Sequence, residues 1–204
     1  TQVDNINGWT FNEMLFLAGM GGVIMNTHHI FLFNMFNLED YIVEGNMDRF
    51  LVRPLSPLFQ VYADEVSDNN LSKLIANTAL VLYSAGQIGI NLLTPVNLLY
   101  GIAALISGIL VFAAAYMVFA TTSFWTGRSR SAIWLIFRLS DYRRYPYNIY
   151  SLPIQTILVT AIPVAFASFF PATFFLERNS WRIWQLASIV AGPVLYFLAL
   201  KFWK

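Results

Sequence analysis

Glu44–Pro57, EGNMDRFLVRPLSP, is the charged, proline-broken stretch from which the rest of the chain is best read, because almost everything around it is apolar. Glu44, Asp48, Arg49 and Arg53 fall within ten positions, and Gly45, Pro54 and Pro57 interrupt the backbone. A single charged side chain costs roughly 2.5–3.5 kcal/mol at the centre of a membrane helix. The segment therefore belongs outside a bilayer, where it can touch a soluble partner. Leu51, Leu55, Leu58, Tyr62 and Val66 recur at three or four residues, so one helical face could lie on the membrane surface. Pro54 and Pro57 forbid a single uninterrupted helix and predict a bent or two-piece element. Chemistry alone equally allows a plain connector between two spans.

Working outward, hydrophobic residues make up 57% of 204 positions and charged residues 11%, with a mean hydropathy of +0.57. Soluble domains carry about 25% charged residues, so water is not the main solvent. A net charge of +1 gives no reason to expect nucleic acid, and the absence of cysteine excludes disulfide and thiol chemistry. Thr1 is followed by no basic region and cleavage site of the signal-peptide kind.

About 20 apolar residues cross the roughly 30 Å hydrocarbon layer. Five stretches qualify: Met14–Phe36, Leu74–Leu93, Leu98–Thr121, Leu152–Phe175 and Ile183–Phe202. The second is the weakest, interrupted by Asn77, Gln87 and Asn91, and Thr94–Asn97 joins it to the third as a tight hairpin turn. The runs are continuous rather than alternating, so the expected fold is an all-α, polytopic membrane helix bundle. Residues 1–204 form one transmembrane domain, 37–73 a cytoplasmic connector and 124–150 a basic cytoplasmic loop. That arrangement puts ten Lys and Arg inside and only Arg178 and Arg182 outside, so the positive-inside rule sets the C-terminus in the cytoplasm. Trp9, Trp125, Trp181, Trp184 and Trp203 all fall at span ends, as an interfacial belt requires.

Polar residues within the spans carry little obvious chemistry. His28 and His29 point about 100° apart on a helix and no third histidine exists, which argues against a metal or haem site. Hydrogen bonding to Asn26 or Asn34 is the expected role. Gln87 and Asn91 share a helical face and, with Asn77, either line a path or glue helices together. Ala18/Gly22, Ala85/Gly89, Ala103/Ser107 and Ala104/Gly108 are small-xxx-small pairs that predict close packing. No Asp, Glu, Lys or Arg falls in the middle of an expected span, and the sequence offers no nucleophile–base set and no phosphate-binding glycine loop. Energy for uphill transport would have to come from another chain.

GNMDRFLVRPLSPLFQV, Gly45–Val61, resembles the hallmark of a branch of ABC-2-type exporter permeases whose pattern reads approximately G-x-L-D-x-x-L-x-R-P-x-x-x-L-x-Q. Gly45, Asp48, Leu51, Arg53, Pro54, Leu58 and Gln60 match, and Met47 replaces the usual leucine. Gly8–Trp9, Ser123–Thr126, Arg144–Pro146, Ile162–Phe166 and Phe170–Ala172 also resemble that branch, in order along nearly the whole chain. Such permeases usually have six spans with the N-terminus inside. Five spans with the N-terminus outside therefore imply one absent N-terminal span, and that Thr1 is not the natural start.

The resemblance implies a permease subunit of the cell membrane that pairs with an identical or related permease and docks on a cytoplasmic ATPase. ATP and Mg would be bound by that ATPase, and this chain would carry no cofactor. Glu44, Gly45, Asp48, Arg49, Phe50, Leu51, Arg53 and Pro54 would form the ATPase-coupling element, with Phe50 and Leu51 as its apolar anchor. Pro163, Pro171 and Pro193 would permit kinks as the bundles tilt. The alternative is a structural or assembly subunit of a larger membrane complex, without transport.

Overall fold

A computed structural model describes residues 7–66, 68–160 and 163–204; the described residues form helices, short 3-10 turns and connecting loops, with no strand. Helix α1 (Phe11–Phe31) starts at a reciprocal capping box, in which Thr10 accepts from the Glu13 amide and Glu13 accepts from the Thr10 amide. Its 21 residues span about 31 Å. A 3-10 turn at Phe33–Asn37 then leads into three short helices, α2 (Leu38–Val43), α3 (Asp48–Leu51) and α4 (Pro57–Asp64). Helix α5 (Leu71–Ile88) returns along α1 and stops at Gly89, whose φ of +86° supplies the left-handed cap. Thr94 caps α6 (Pro95–Thr121), with Pro95 in the first turn where its missing N–H costs nothing. After α6 come α7 (Ser123–Thr126), α8 (Arg130–Leu139), α9 (Leu152–Thr160), α10 (Val164–Ala167), α11 (Phe169–Phe175) and α12 (Arg182–Trp203).

The most extensive contacts are between α6 and α12 and between α1 and α5. Lipid tails compete with apolar side chains, so close backbone approach must come from small residues. At Gly192 a Cβ would stand 2.0 Å from the Ser107 carbonyl oxygen, and the Gly192 amide donates to Ser107 Oγ at 2.9 Å. Tyr100 donates to the Gln185 carbonyl at 2.9 Å in the same seam. At Gly22 a Cβ would meet Asn77 Oδ1 at 2.0 Å, and at Gly19 it would meet Val81 Cγ2 at 2.9 Å. Gly22 and Ser107 of the expected pairs thus mark two real seams, with Gly19 rather than Ala18 beside Gly22, whereas Gly89 of the Ala85/Gly89 pair is the cap of α5 and meets no neighbouring helix.

Among the described residues three helical stretches are long and apolar enough to cross a bilayer: Phe11–Phe31, Pro95–Thr126 and Asn179–Trp203. Leu152–Thr160 with Val164–Phe175 makes a fourth if the pair, bent by 68°, is one span. Ala161 and Ile162, inside the fourth expected span, lie outside the described residues. Helix α5 packs along α1 but is not among these spans, because Lys73, Asn77 and Gln87 dilute it.

The expected loop at 124–150 is not confined to one end of the bundle. The Ser129 and Arg130 amides both donate to Glu39, past the C-terminal end of α1. Arg143 Nε donates to the Gly21 carbonyl, halfway along α1, at 3.1 Å. Asn148 accepts from Asn7, just before α1 begins, at 3.1 Å. This segment therefore climbs α1 from end to end, with Ile133 and Ile136 of α8 in the core. It also places Arg143, only 9% exposed, at mid-height, so a charged group does lie deep in the bundle. Its charge is met by the Gly21 and Ser140 carbonyls and by Asp141 at 3.5 Å. Trp9 departs from the belt as well: it is fully buried against Phe169 and Arg178, while Trp125, Trp134 and Trp184 are exposed.

Candidate functional site

The charged stretch folds into a small cap beyond the C-terminal end of α1. Gly45, at φ +75°, takes the left-handed conformation that turns the chain out of α2, and its amide donates to Ile42. Met47 and Phe50 then point inward. Phe50 is 1% exposed and meets Tyr41 edge-on at 5.3 Å. It is an anchor for the cap itself, which corrects the expectation that it anchors a partner. Leu58, Val61 and Tyr62 of α4 are buried in the same cluster. The expected single membrane-surface face is therefore split, with Leu51, Leu55 and Val66 exposed and Leu58 and Tyr62 inside.

Between the two short helices the chain projects. Leu51, Val52, Arg53, Pro54, Leu55 and Ser56 are all exposed, Val52 by 84%. Phe59 adds a further exposed ring on α4. Gln60 closes the base of this projection: its buried amide donates to the Phe50 and Leu55 carbonyls, both at 2.9 Å. Pro54 and Pro57 stiffen the backbone between them, since each fixes its own φ. Below, Asn34 donates to the Val61 carbonyl at 2.6 Å and fastens α4 to the end of α1.

The charges divide between structure and surface. Arg49 is committed to Asp64 at 2.5 Å and lies 4.6 Å above the Phe50 ring. Tyr41 donates to the same carboxylate at 2.9 Å. Glu44 accepts from Asn46 at 2.9 Å. Asp48 and Arg53 are exposed and make no ion pair among the described residues. On the flank of the cap, the Ser129 amide first, and then the Arg130 amide, hold the Glu39 carboxyl below its usual range, partly offset by burial. Arg130 also pairs with Asp40.

The polar residues read from the spans do not assemble into a path. Asn26 donates to its own helix at Gly22, and Asn77 to its own helix at Lys73. Helix α5 ends before Asn91, which organises the hairpin turn by accepting from the Leu93 amide and, through its carbonyl, from Asn97. Gln87 and Asn91 therefore share no helical face, and Gln87 is exposed. His28 and His29 are buried but bond neither Asn26 nor Asn34. Their rings pack against Tyr116 at 4.9 Å and Phe33 at 4.6 Å respectively. Among the described residues no cluster of three or more metal-ligating side chains forms.

In the sequence Leu55 reads as part of a membrane-surface face and Gln60 only as a match to the family pattern, whereas Val52 and Phe59 are not singled out. Their signal was that Val52, Leu55 and Phe59 flank Pro54 and Pro57, which break the helix and keep these side chains from turning together into one core.

Apolar helices of bilayer length packed through small-residue seams define a multi-pass membrane protein. A family model described as "ABC-2 family transporter protein" matches residues 1–204, and the chain belongs to that family, the permeases of ABC transporters. No curated protein and no solved structure matches it.

Proposed function

We propose that this chain is the permease subunit of an ATP-driven exporter, and that the projection Leu51–Ser56, with Phe59, is where a separate cytoplasmic ATPase docks. The observation that carries the reading is the exposed Leu51–Val52–Leu55 cluster, braced from beneath by Gln60 and flanked by the free charges of Asp48 and Arg53. An apolar centre with a polar rim on a rigid base is what a binding hot spot needs. The ATPase binds ATP and Mg and supplies the driving force; this chain transmits it. Pressure on the projection reaches α1 through Asn34 and α8 through Glu39, so the cap moves together with α1 and with the segment that climbs it. A second permease, identical or related, completes the path, with the cap and C-terminus on the cytoplasmic side of the cell membrane.

The test is co-purification from mild detergent of the tagged protein with its ATPase. Leu51→Asp with Val52→Asp is expected to abolish recovery of the ATPase while leaving the permease monodisperse. Full recovery of the ATPase with that variant would remove the projection from the interface.

A further inference from the structure

At the opposite end of the molecule from the cap, two cavities meet. One is a groove of about 270 Å³ between α1, α5 and α6, lined by Phe16, Ile24, Val81, Leu98, Ile102 and Leu105 and otherwise almost wholly apolar. Gly101 lines it as well, and a Cβ there would stand 3.4 Å from the Phe175 ring, in ordinary contact. The other is a wider vestibule of about 880 Å³ at the α5–α6 turn and the start of α12. Asn97 and Phe175 line both cavities, so the apolar groove and the vestibule adjoin.

The vestibule is charged in a particular way. Glu13 faces it but is already committed, to the cap of α1 and to Arg178 at 3.1 Å. Glu177 and Arg182 face it too, both are exposed, and neither makes an ion pair among the described residues. One uncommitted anion and one uncommitted cation thus stand at the mouth of an apolar slot. The vestibule alone is of the size that small-molecule sites occupy, about 300–1,000 Å³, and the groove adds an apolar slot to it.

We infer that this is a binding site for a zwitterionic amphiphile, with its hydrocarbon chain in the groove beside Ile102 and its head in the vestibule. The head's acidic group pairs with Arg182 and its ammonium with Glu177. An uncharged amphiphile would fill the groove and leave both charges unanswered. A purely anionic one would meet Arg182 but set a second negative charge beside Glu177. The site rests on the reading of the chain as a membrane permease and is independent of the ATPase-docking surface, so each can fail without the other.

The experiment places the purified protein in nanodiscs doped with photoactivatable lipids bearing a tail diazirine, and maps the labelled residues by mass spectrometry. Three probes are compared: phosphoethanolamine-headed, anionic phosphoglycerol-headed and uncharged diacylglycerol. The expected result is labelling centred on Leu98, Ile102 and Leu105, strongest for the phosphoethanolamine probe. Arg182→Gln should weaken it roughly tenfold, the loss that one charge-assisted hydrogen bond carries, and Arg182→Lys should restore most of it. Ile102→Trp should block it for every probe. Equal labelling by all three probes, or labelling of the groove no greater than that of the exposed Val190 and Phe197 on α12, would overturn the proposal in favour of ordinary contact with bulk lipid.

Discussion

Phe50 and Leu51 are neighbours in sequence with opposite fates, and the difference decides how the cap is to be tested. Phe50 is sealed against Tyr41 beneath the Arg49 guanidinium, whereas Leu51 faces outward. Truncating a fully buried phenylalanine costs about 3–5 kcal/mol, while truncating an exposed leucine away from such packing changes stability by no more than about 0.5 kcal/mol. Phe50→Ala is therefore expected to lower the thermal midpoint of the purified permease clearly, and Leu51→Ala to leave it unchanged. Equal midpoints would mean that Phe50 is not part of the core. Periodicity could not separate the two residues, because α3 is a single turn and Pro54 ends any repeat. The same limit applied to Arg49, which reads as a contact charge in sequence and is held by Asp64 in the fold.

At the scale of elements, the joint between α2 and α8 is the most informative. Glu39 accepts from two successive amides at the start of α8, where unpaired N–H groups favour a carboxylate. Those bonds stabilise the ionised form, so the folded-state pKa lies below the unfolded value of about 4.3. The contribution is present above that value and is lost as pH falls through the lower folded-state pKa. Acidification below about pH 4 should therefore loosen this joint, read as lower amide protection factors at Ser129 and Arg130 relative to intrinsic exchange at the same pH. Glu39→Gln should show lower protection already at neutral pH and little further change on acidification; wild-type protection in that variant would remove Glu39 from the joint.

Sequence gave α8 only as part of a basic loop. Arg138, Arg143 and Arg144 argued for water, yet Ile133 and Ile136 are buried, and Arg143 lies inside because backbone carbonyls and Asp141 satisfy it. The spacing of Ile133, Trp134, Ile136 and Phe137 was the available sign of a packed helical face. By contrast α1, α6 and α12 were legible outright, since their apolar runs match the bilayer and their glycines mark the seams.

As a whole, the molecule presents two working ends joined by α1 and by the segment that climbs it. The cap gathers Leu51, Val52 and Leu55 at one end, and the charged vestibule with its apolar groove sits at the other. That the chain is helical, membrane-embedded and related to ABC-2 permeases could be read from composition and from Gly45–Val61. The cavities could not, because they are made by residues of α1, α5, α6 and α11 that no local pattern brings together.

The absence of cysteine makes the central claim directly measurable, since one introduced thiol is unique in the chain. With Val52→Cys in the assembled transporter, a short bifunctional maleimide is expected to join this chain to the ATPase subunit. Gly8→Cys, at the other end, should give no such product. A Val52→Cys protein that never cross-links to an ATPase, while reacting freely with a membrane-impermeant thiol reagent added outside intact cells, would contradict the account.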